Sequence, residues 1–211
     1  MKTMPNCFKS CFLLILASIF LFGSPNFVEA SQKEAVFAGG CFWCLEHDLE
    51  DLPGVLSVDS GYTGGELASP TYKNHKGHQE AVIVNFDTEK VAYKSLLRSF
   101  WRNIDPLDGE GQFCDRGDSY RPVVFTQGDS QREEAMQSIQ DAARELDQPI
   151  GRIKAKVQDA KTFWMAEQYH QNFAERNRLK YSFYRNSCGR DRRLDEVWGE
   201  NARTNAAWPE K

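Results

Sequence analysis

The spacing of apolar and polar positions predicts alternating strands and helices in the first half of the chain. A short apolar run at residues 34–38 ends in two glycines, which indicates a strand followed by a tight turn. Apolar residues then recur at steps of three and four over residues 41–52, as in a helix, and Pro53-Gly54 ends that pattern. Residues 55–62 predict a second strand, and the nearly apolar residues 81–86 predict a central one.

The middle of the chain carries a helix, a long loop and a short strand. Six large apolar residues between positions 93 and 104 fall on one helical face, and Pro106 ends that helix. Residues 105–121 form a polar stretch rich in glycine and proline, and a loop of this length inside a compact domain is usually functional. Residues 122–125 predict a short strand.

The last third of the chain is more polar and its pattern is weaker. Ser130 and Glu133 have the spacing of a capping box for a helix that runs to about residue 146. Alternation over residues 153–157 predicts a half-exposed strand, residues from 163 onward are helix-prone, and we expect an irregular tail from about residue 185. Strands and helices interleave without a strict βαβ repeat, which predicts an α+β fold with a mixed β-sheet covered by helices.

The first thirty residues do not fit this domain pattern. Lys2 and Lys9 lie before an apolar run at residues 11–22. Val28-Glu29-Ala30 then has the small or β-branched residues that suit cleavage by a signal peptidase. This arrangement predicts a secretory signal peptide over residues 1–30, cleaved before a single domain at residues 31–211. We therefore expect an exported, periplasmic or extracytoplasmic protein without stable membrane association after cleavage. An uncleaved membrane anchor is the alternative.

Length and charge narrow the function classes. About 180 residues remain after cleavage, enough for one domain with a substantial core. The full chain has a formal charge of -4, and removing two lysines and one glutamate makes the remainder more acidic. An acidic balance without a basic run argues against nucleic acid as a partner.

Four cysteines lie after the predicted cleavage point, and two of them are close together. Cys41 and Cys44 are separated by two residues, which is typical of redox-active or metal-binding pairs. Cys41 falls at the predicted helix start, where unpaired N–H groups and the helix dipole favour a thiolate of lowered pKa. Cys44 lies one turn further, within disulfide reach. The alternative is a buried core cysteine at each position.

Aromatic residues next to Cys41, and acidic and hydroxyl side chains further along the sequence, could assist a reaction at the Cys41 sulfur. Phe42 and Trp43 are adjacent on a helix and diverge in direction, so at least one is expected to be partly exposed and to hold a small apolar group. A carboxyl at the start of the central strand, Glu80, is expected to have a raised pKa and to carry a proton. The other polar candidates are Tyr72, His75 and His78 before that strand and Asp115, Ser119 and Tyr120 in the long loop. Taken singly, each of these also fits a surface or structural role.

A series of short motifs resembles the A class of peptide methionine sulfoxide reductases. The motifs occur in order between about residues 34 and 171: Gly40-Cys41-Phe42-Trp43 with Glu46, Gly61-Tyr62-Thr63-Gly64-Gly65, Pro70-Thr71-Tyr72, Gly77-His78-Gln79-Glu80, Phe100-Trp101, Asp105-Pro106, Asp115-Arg116-Gly117 with Tyr120-Arg121, and Ala166-Glu167 with Tyr169-His170. One motif would be weak, but this many in one order is specific.

The resemblance implies a two-layer sandwich of that family's type and roles for individual residues. Cys41 resembles the nucleophile and Glu80 the acid that protonates the sulfoxide oxygen. By the same resemblance, Phe42 and Trp43 hold the substrate methyl group, and Tyr72, Asp115 and Tyr120 bind the oxygen.

The implied reaction is thiol-dependent reduction of methionine S-sulfoxide, free or in oxidised proteins, as repair after oxidative stress. Cys41 would become a sulfenic acid and then part of an intramolecular disulfide. An external dithiol such as a thioredoxin-like protein would reduce that disulfide, with no bound cofactor and no metal.

The sequence departs from the commonest family pattern at the cysteines. Cys44 stands where glycine is frequent, and the tail around Cys188 lacks the usual glycines. Cys188 matches the usual position of the resolving cysteine and is favoured for that role, with Cys44 close behind and Cys114 also open.

Two other functions fit part of the pattern. The Cys41–Cys44 spacing is also that of a thioredoxin-like disulfide oxidoreductase. The same pair with His75 and His78 offers four ligands for a zinc module, although the spacing of the histidines is short.

Overall fold

The computed structural model describes residues 32–208 together with Met1. The predicted signal peptide, and its alternative as an anchor, therefore lie outside the described residues. Within the described part, every helix is too short or too polar to cross a bilayer.

A six-stranded mixed sheet forms the centre of the domain. Its strands, in sheet order, are β7 (Lys156–Asp159), β6 (Val123–Thr126), β1 (Gln32–Ala38), β3 (Gln79–Asp87), β2 (Val55–Thr63) and β8 (Trp164–Met165). Strands β6 and β7 are parallel, and the other neighbours are antiparallel. Strand β3, the most apolar segment of the sequence, lies in the interior of the sheet as predicted.

Helices cover the sheet, which confirms the predicted α+β class. They are α1 (Phe42–Glu50), α2 (Tyr93–Trp101), α3 (Asp129–Glu145), α4 (Phe173–Arg176), α5 (Arg178–Cys188) and α6 (Arg190–Trp198). The largest core cluster joins apolar faces of α1, α2 and α3 to one face of β1 and β3, with Phe37, Leu45 and Leu96 completely buried. A smaller cluster on the opposite face contains Val36, Ala81 and Phe125.

The long loop between residues 105 and 121 is more ordered than the sequence indicated. It contains a short hairpin, β4 (Gly111–Gln112) and β5 (Asp115–Arg116), followed by a 3₁₀ turn at Asp118–Tyr120. The Gln112 side chain is fully buried, accepts a hydrogen bond from the Asp105 N–H and donates one to the Asp105 carbonyl oxygen, each at 2.8 Å. These bonds hold the loop against the end of α2.

Two local predictions were wrong in detail. The helix expected to start with a Ser130–Glu133 capping box begins at Asp129 after Gly128, whose φ of +85° sets the turn. The half-exposed strand predicted at residues 153–157 begins only at Lys156 and ends at Asp159, where parallel pairing with β6 places Lys156 beside Val123.

The prediction of an irregular tail from about residue 185 was also wrong. Helix α5 continues to Cys188, and α6 follows directly after Gly189. Leu194 and Trp198 of α6 are buried, and the fully buried Arg190 donates a 2.6 Å hydrogen bond to the Asn103 carbonyl oxygen. Because charged residues lie on the inward face of α6, the spacing of apolar residues alone does not reveal this helix.

Candidate active site

Cys41 lies where β1 turns sharply into α1. Gly40 adopts a φ of +85°, and a Cβ at that position would lie 2.7 Å from the Cβ of Gln112. Both the left-handed backbone and the close approach require glycine. The turn leaves Cys41 at the N-cap of α1, as the sequence predicted.

The electrostatic expectation for Cys41 was wrong. Only 5% of Cys41 is exposed, and burial raises the pKa of its thiol well above the ordinary value. A hydrogen bond to Cys44 and the nearby charge of Glu80 act in the same direction. The helix start does not compensate, because the first free N–H, that of Phe42, donates to Glu80 Oε2 at 3.2 Å.

Glu80 behaves as the sequence predicted. It is 2% exposed, and burial raises the pKa of its carboxyl to about 8, although the Phe42 N–H and the Tyr120 hydroxyl favour the charged form. At neutral pH the carboxyl therefore carries a proton, and it lies at the beginning of β3 beside the start of α1. A protonated carboxyl in this position can donate to an oxygen bound near Cys41.

One small pocket of about 50 Å³ brings the predicted site together. Its walls are Cys41, Phe42, Trp43, Tyr72, Glu80, Asp115, Tyr120 and Tyr184. The first seven come from three separate segments that the sequence could not place in contact. The volume suits a group of a few heavy atoms, so a methyl sulfoxide fits and a whole side chain of larger size does not.

Aromatic rings form the apolar wall of the pocket. Phe42 is completely buried and Trp43 is half-buried, in agreement with the expectation that one of the two is partly exposed. The Trp43 indole stacks on Phe173 with 3.7 Å between ring centroids, and its N–H donates to His170 Nδ1 at 3.1 Å. The Tyr72 ring lies 4.5 Å from that of His170. These contacts fix the orientation of the Trp43 ring.

The polar wall is formed by a carboxyl and two tyrosines of the loop and the C-terminal helices. Burial raises the pKa of Asp115, which accepts a 2.5 Å hydrogen bond from the Tyr184 hydroxyl. The Tyr120 hydroxyl hydrogen-bonds to Glu80, and burial raises the pKa of Tyr120. Glu80 and Tyr120 can therefore donate a proton at neutral pH, and Asp115 accepts one from Tyr184.

Cys44 lies behind Cys41 in a positively charged environment. It is 1% exposed, and the hydrogen bond donated by Cys41 lowers its pKa, with Arg190 and Arg185 adding to the effect. Asp48 binds Arg185 at 2.6 Å and so holds one of these cations in place. The pair thus consists of a thiol at Cys41 that donates to an easily ionised sulfur at Cys44.

The two remaining described cysteines are joined to each other. Cys114 and Cys188 form a disulfide, so that Cys41 and Cys44 are the free cysteines of the described residues. Cys188 does not line the pocket, and its predicted role in closing the first disulfide is not tested by this arrangement.

The histidines proposed as zinc ligands have other partners. His78 Nε2–H donates to the Leu67 carbonyl oxygen at 2.9 Å, while its Nδ1 accepts from the Gly65 N–H at 3.3 Å. His75 donates to the Thr71 carbonyl oxygen and stacks on Tyr62. Among the described residues, the only metal-like cluster is Cys114, Asp115 and Cys188, in which both sulfurs are already in the disulfide. The two histidines therefore do not form the predicted zinc site with Cys41 and Cys44.

Two functional side chains were missed by the sequence analysis. Tyr184 reaches the pocket from α5, and His170 supports Trp43 from the segment before α4. A signal for Tyr184 existed, because Tyr181, Tyr184, Arg185 and Cys188 recur at helical spacing and face the domain. That pattern mixes aromatic, charged and sulfur side chains, which is why it was not recognised.

Comparison with known proteins agrees with the geometry. The family model for peptide methionine sulfoxide reductase matches residues 33–202. Two similar proteins are each named peptide methionine sulfoxide reductase MsrA 2. The one from Caulobacter vibrioides is 48% identical over 89% of this chain and 97% of its own, and the one from Rhizobium meliloti is 43% identical over 92% of each.

Solved structures show the same similarity. Methionine sulfoxide reductase A of Corynebacterium diphtheriae superposes with a TM-score of 0.66 at 28% identity, covering 74% of this chain and 78% of that one. The reduced form of Mxr1 from Saccharomyces cerevisiae gives 0.65 at 26% identity, covering 71% and 88%.

Proposed function

This chain belongs to the peptide methionine sulfoxide reductase family, and we propose that it reduces methionine S-sulfoxide by the route that its pocket supports. The observation that carries the proposal is the single pocket in which a sulfur nucleophile, a protonated carboxyl and an aromatic wall meet. The same pocket gives no support to the thioredoxin-like alternative, which assigns no role to Glu80 or to the aromatic wall.

Binding of the substrate comes first. The methyl group of the sulfoxide packs against Phe42 and Trp43, and the oxygen accepts hydrogen bonds from Glu80 and Tyr120. Because the substrate sulfur is chiral, this division into an apolar and a polar wall admits one epimer with its oxygen toward Glu80 and its sulfur toward Cys41. Free methionine sulfoxide and exposed oxidised side chains of proteins both carry this group.

Attack on the substrate sulfur requires that Cys41 lose its proton at the moment of reaction. Cys44, the sulfur to which Cys41 already donates a hydrogen bond, accepts the Cys41 proton; because the Cys41 pKa is raised and the Cys44 pKa is lowered, this transfer takes place only together with attack on the substrate. The Cys41 thiolate attacks the substrate sulfur as Glu80 protonates the oxygen. This forms an S–S bond between Cys41 and the substrate sulfur. That bond and the S–O bond of the substrate then break as the hydroxyl moves to the Cys41 sulfur, so Cys41 becomes a sulfenic acid and methionine leaves reduced by two electrons.

The nearest free thiol closes the first disulfide. Cys44 attacks the Cys41 sulfenic sulfur, a Cys41–Cys44 bond forms, and the hydroxyl leaves as water with the proton that Cys44 had received. The sequence favours Cys188 for this step. We assign the step to Cys44 instead, because Cys188 is bonded to Cys114.

Regeneration of the enzyme needs an external dithiol. A thioredoxin-like protein would reduce the Cys41–Cys44 disulfide by thiol–disulfide exchange. If the N-terminal segment is a cleaved signal peptide, this reductant and the oxidised protein substrates belong to the periplasm or another extracytoplasmic space. Repair of oxidised exported proteins is the cellular role that follows.

The test uses the two separated epimers of methionine sulfoxide with dithiothreitol as reductant. We expect turnover of the S epimer only, and its loss in Cys41→Ser without loss of the fold. One equivalent of substrate added without reductant should give a Cys41–Cys44 disulfide in the peptide map of the wild-type protein and of Cys188→Ser. A Cys41–Cys188 disulfide in the wild type would refute the assignment of Cys44 and restore the one favoured from sequence.

A further inference from the structure

Tyr184 lines the pocket and has no part in the route above. It belongs to α5, which packs against α4 and α6 and places Tyr181 in the buried cluster around Cys41 and Cys44, and its hydroxyl lies near two groups that can accept its proton. One is Asp115 Oδ2, at 2.5 Å, and the other is the sulfur of Cys41. Its ring also meets the Trp43 indole edge-on, with 6.0 Å between centroids.

We propose that Tyr184 is a catalytic residue that donates a hydrogen bond to the Cys41 thiolate, and that the Cys114–Cys188 disulfide positions it. The catalytic role of Tyr184 rests on the proposed function of Cys41 as the nucleophile. Its geometric basis is the small pocket that Tyr184 and Cys41 line together, the hydrogen bond from the Tyr184 hydroxyl to Asp115, and the disulfide between the segments that carry Tyr184 and Asp115.

The need for such a donor follows from the surroundings of Cys41. Burial, Cys44 and Glu80 all oppose the charged form of this sulfur, whereas the hydrogen bond from Tyr184 favours it. A hydroxyl that donates to an anion inside a small dry pocket contributes more than one exposed to water. The groups that face Cys41 are Cys44, Glu80, Tyr72, Asp115, Tyr120 and Tyr184.

Asp115 decides where the single hydroxyl proton points. An ionised Asp115 accepts the proton of Tyr184, as the 2.5 Å hydrogen bond shows. When Asp115 binds a proton, it can instead donate to the Tyr184 oxygen and free the hydroxyl to donate to Cys41. Asp115 therefore supports the contact without touching the nucleophile.

The disulfide ties together the two segments that carry this pair. Cys114 directly precedes Asp115, and Cys188 lies one helical turn after Tyr184 on the same helix. The Cys114 N–H also donates to Cys188 Sγ at 3.1 Å. Opening the disulfide would leave α5 held by the packing of Tyr181 and the ion pairs of Arg185, with the Tyr184 hydroxyl less firmly held.

The experiment measures ionisation of Cys41 directly. In the full chain with Cys44→Ser, the rate of iodoacetamide alkylation of the Cys41 peptide is followed by mass spectrometry against pH, without reductant. Adding Tyr184→Phe should move the midpoint upward by about one pH unit or more, the size expected for a hydrogen bond to a charged group. Phe183→Leu is the matched control, because Phe183 is 76% exposed on the same helix, and its profile should match that of the parent.

Coinciding profiles for the parent and Tyr184→Phe would overturn the proposal. Should the phenylalanine variant fail to fold, site-specific 2,3-difluorotyrosine at position 184, a stronger donor, must move the midpoint downward. A Cys114→Ser/Cys188→Ser pair in the same background should shift the profile in the direction of Tyr184→Phe, and an unchanged profile would overturn the role of the disulfide. Alkylation does not depend on sulfoxide turnover, so failure of this test and failure of the proposed function are distinguishable.

Discussion

The backbone N–H of Phe42 donates a 3.2 Å hydrogen bond to Glu80 Oε2. This bond connects the first turn of α1, which carries the nucleophile, to the beginning of β3, which carries the acid. The helix therefore uses its free N–H to hold the acid in place, and the nucleophile depends on other groups for its ionisation.

Glu80→Gln should lower kcat about a hundredfold or more and change KM little, because the amide can bind the oxygen but cannot protonate it. Since the pKa of Glu80 is about 8, the protonated form is present below that pH. The kcat of the wild-type enzyme should therefore fall as pH rises through 8, and the variant should lack this decline. Glu89→Gln is the control, because it makes the same change from carboxyl to amide at an exposed position just after the same strand. Wild-type kinetics of Glu80→Gln would mean that another group supplies the proton.

His170→Phe should raise KM about fivefold and change kcat less, because Trp43 loses the acceptor of its indole N–H while the ring packing is kept. His170→Asn, whose side-chain oxygen can accept the same hydrogen bond, should restore part of the loss. His47→Gln is the control, since His47 is exposed at the opposite end of α1. Equal effects of the phenylalanine and asparagine variants would show that only ring packing matters.

Glu46 should make the protein less stable as pH rises. Burial raises its pKa to about 7 in the folded state, while the ordinary value is 4.5. The folded state therefore binds this proton more tightly, and the free energy of unfolding falls between about pH 4.5 and pH 7. In Glu46→Gln this contribution to the pH dependence should disappear, as measured by urea unfolding at a series of pH values. Glu175→Gln, an exposed change nearby, should keep the wild-type slope.

Asp48→Asn should destabilise the domain by about 3–5 kcal/mol, because it removes the carboxylate beside the fully buried Arg190 and leaves Arg185 with Asp191 alone. Asp48 is 7% exposed and binds Arg185 at 2.6 Å and Arg190 at 3.5 Å. Asp195→Asn removes an exposed ion pair with Arg203 and should cost less than about 1 kcal/mol. Chemical denaturation of both variants gives the comparison, and similar losses would mean that the buried network is not a special source of stability.

The local pattern of the sequence was sufficient for much of the fold. Helix α1, the interior strand β3 and the turn at Gly40 follow from periodicity and from glycine's access to positive φ. These are properties of a few neighbouring residues, so the sequence determines them directly. The same holds for the placement of Cys41 at the helix start and of Glu80 at the beginning of β3.

Tertiary structure alone decided which way the Cys41 pKa moves and which side chains complete the pocket. The pKa depends on burial by every element around the sulfur, and that burial outweighs the local effect of the helix start. Tyr184 enters the pocket because α5 docks through the packing of Tyr181, the ion pairs of Arg185 and the Cys114–Cys188 bond, and the last two have no local hydrophobic pattern. Pairing of cysteines and packing of charged helices are set by distances across the fold, which residue spacing along the chain does not specify.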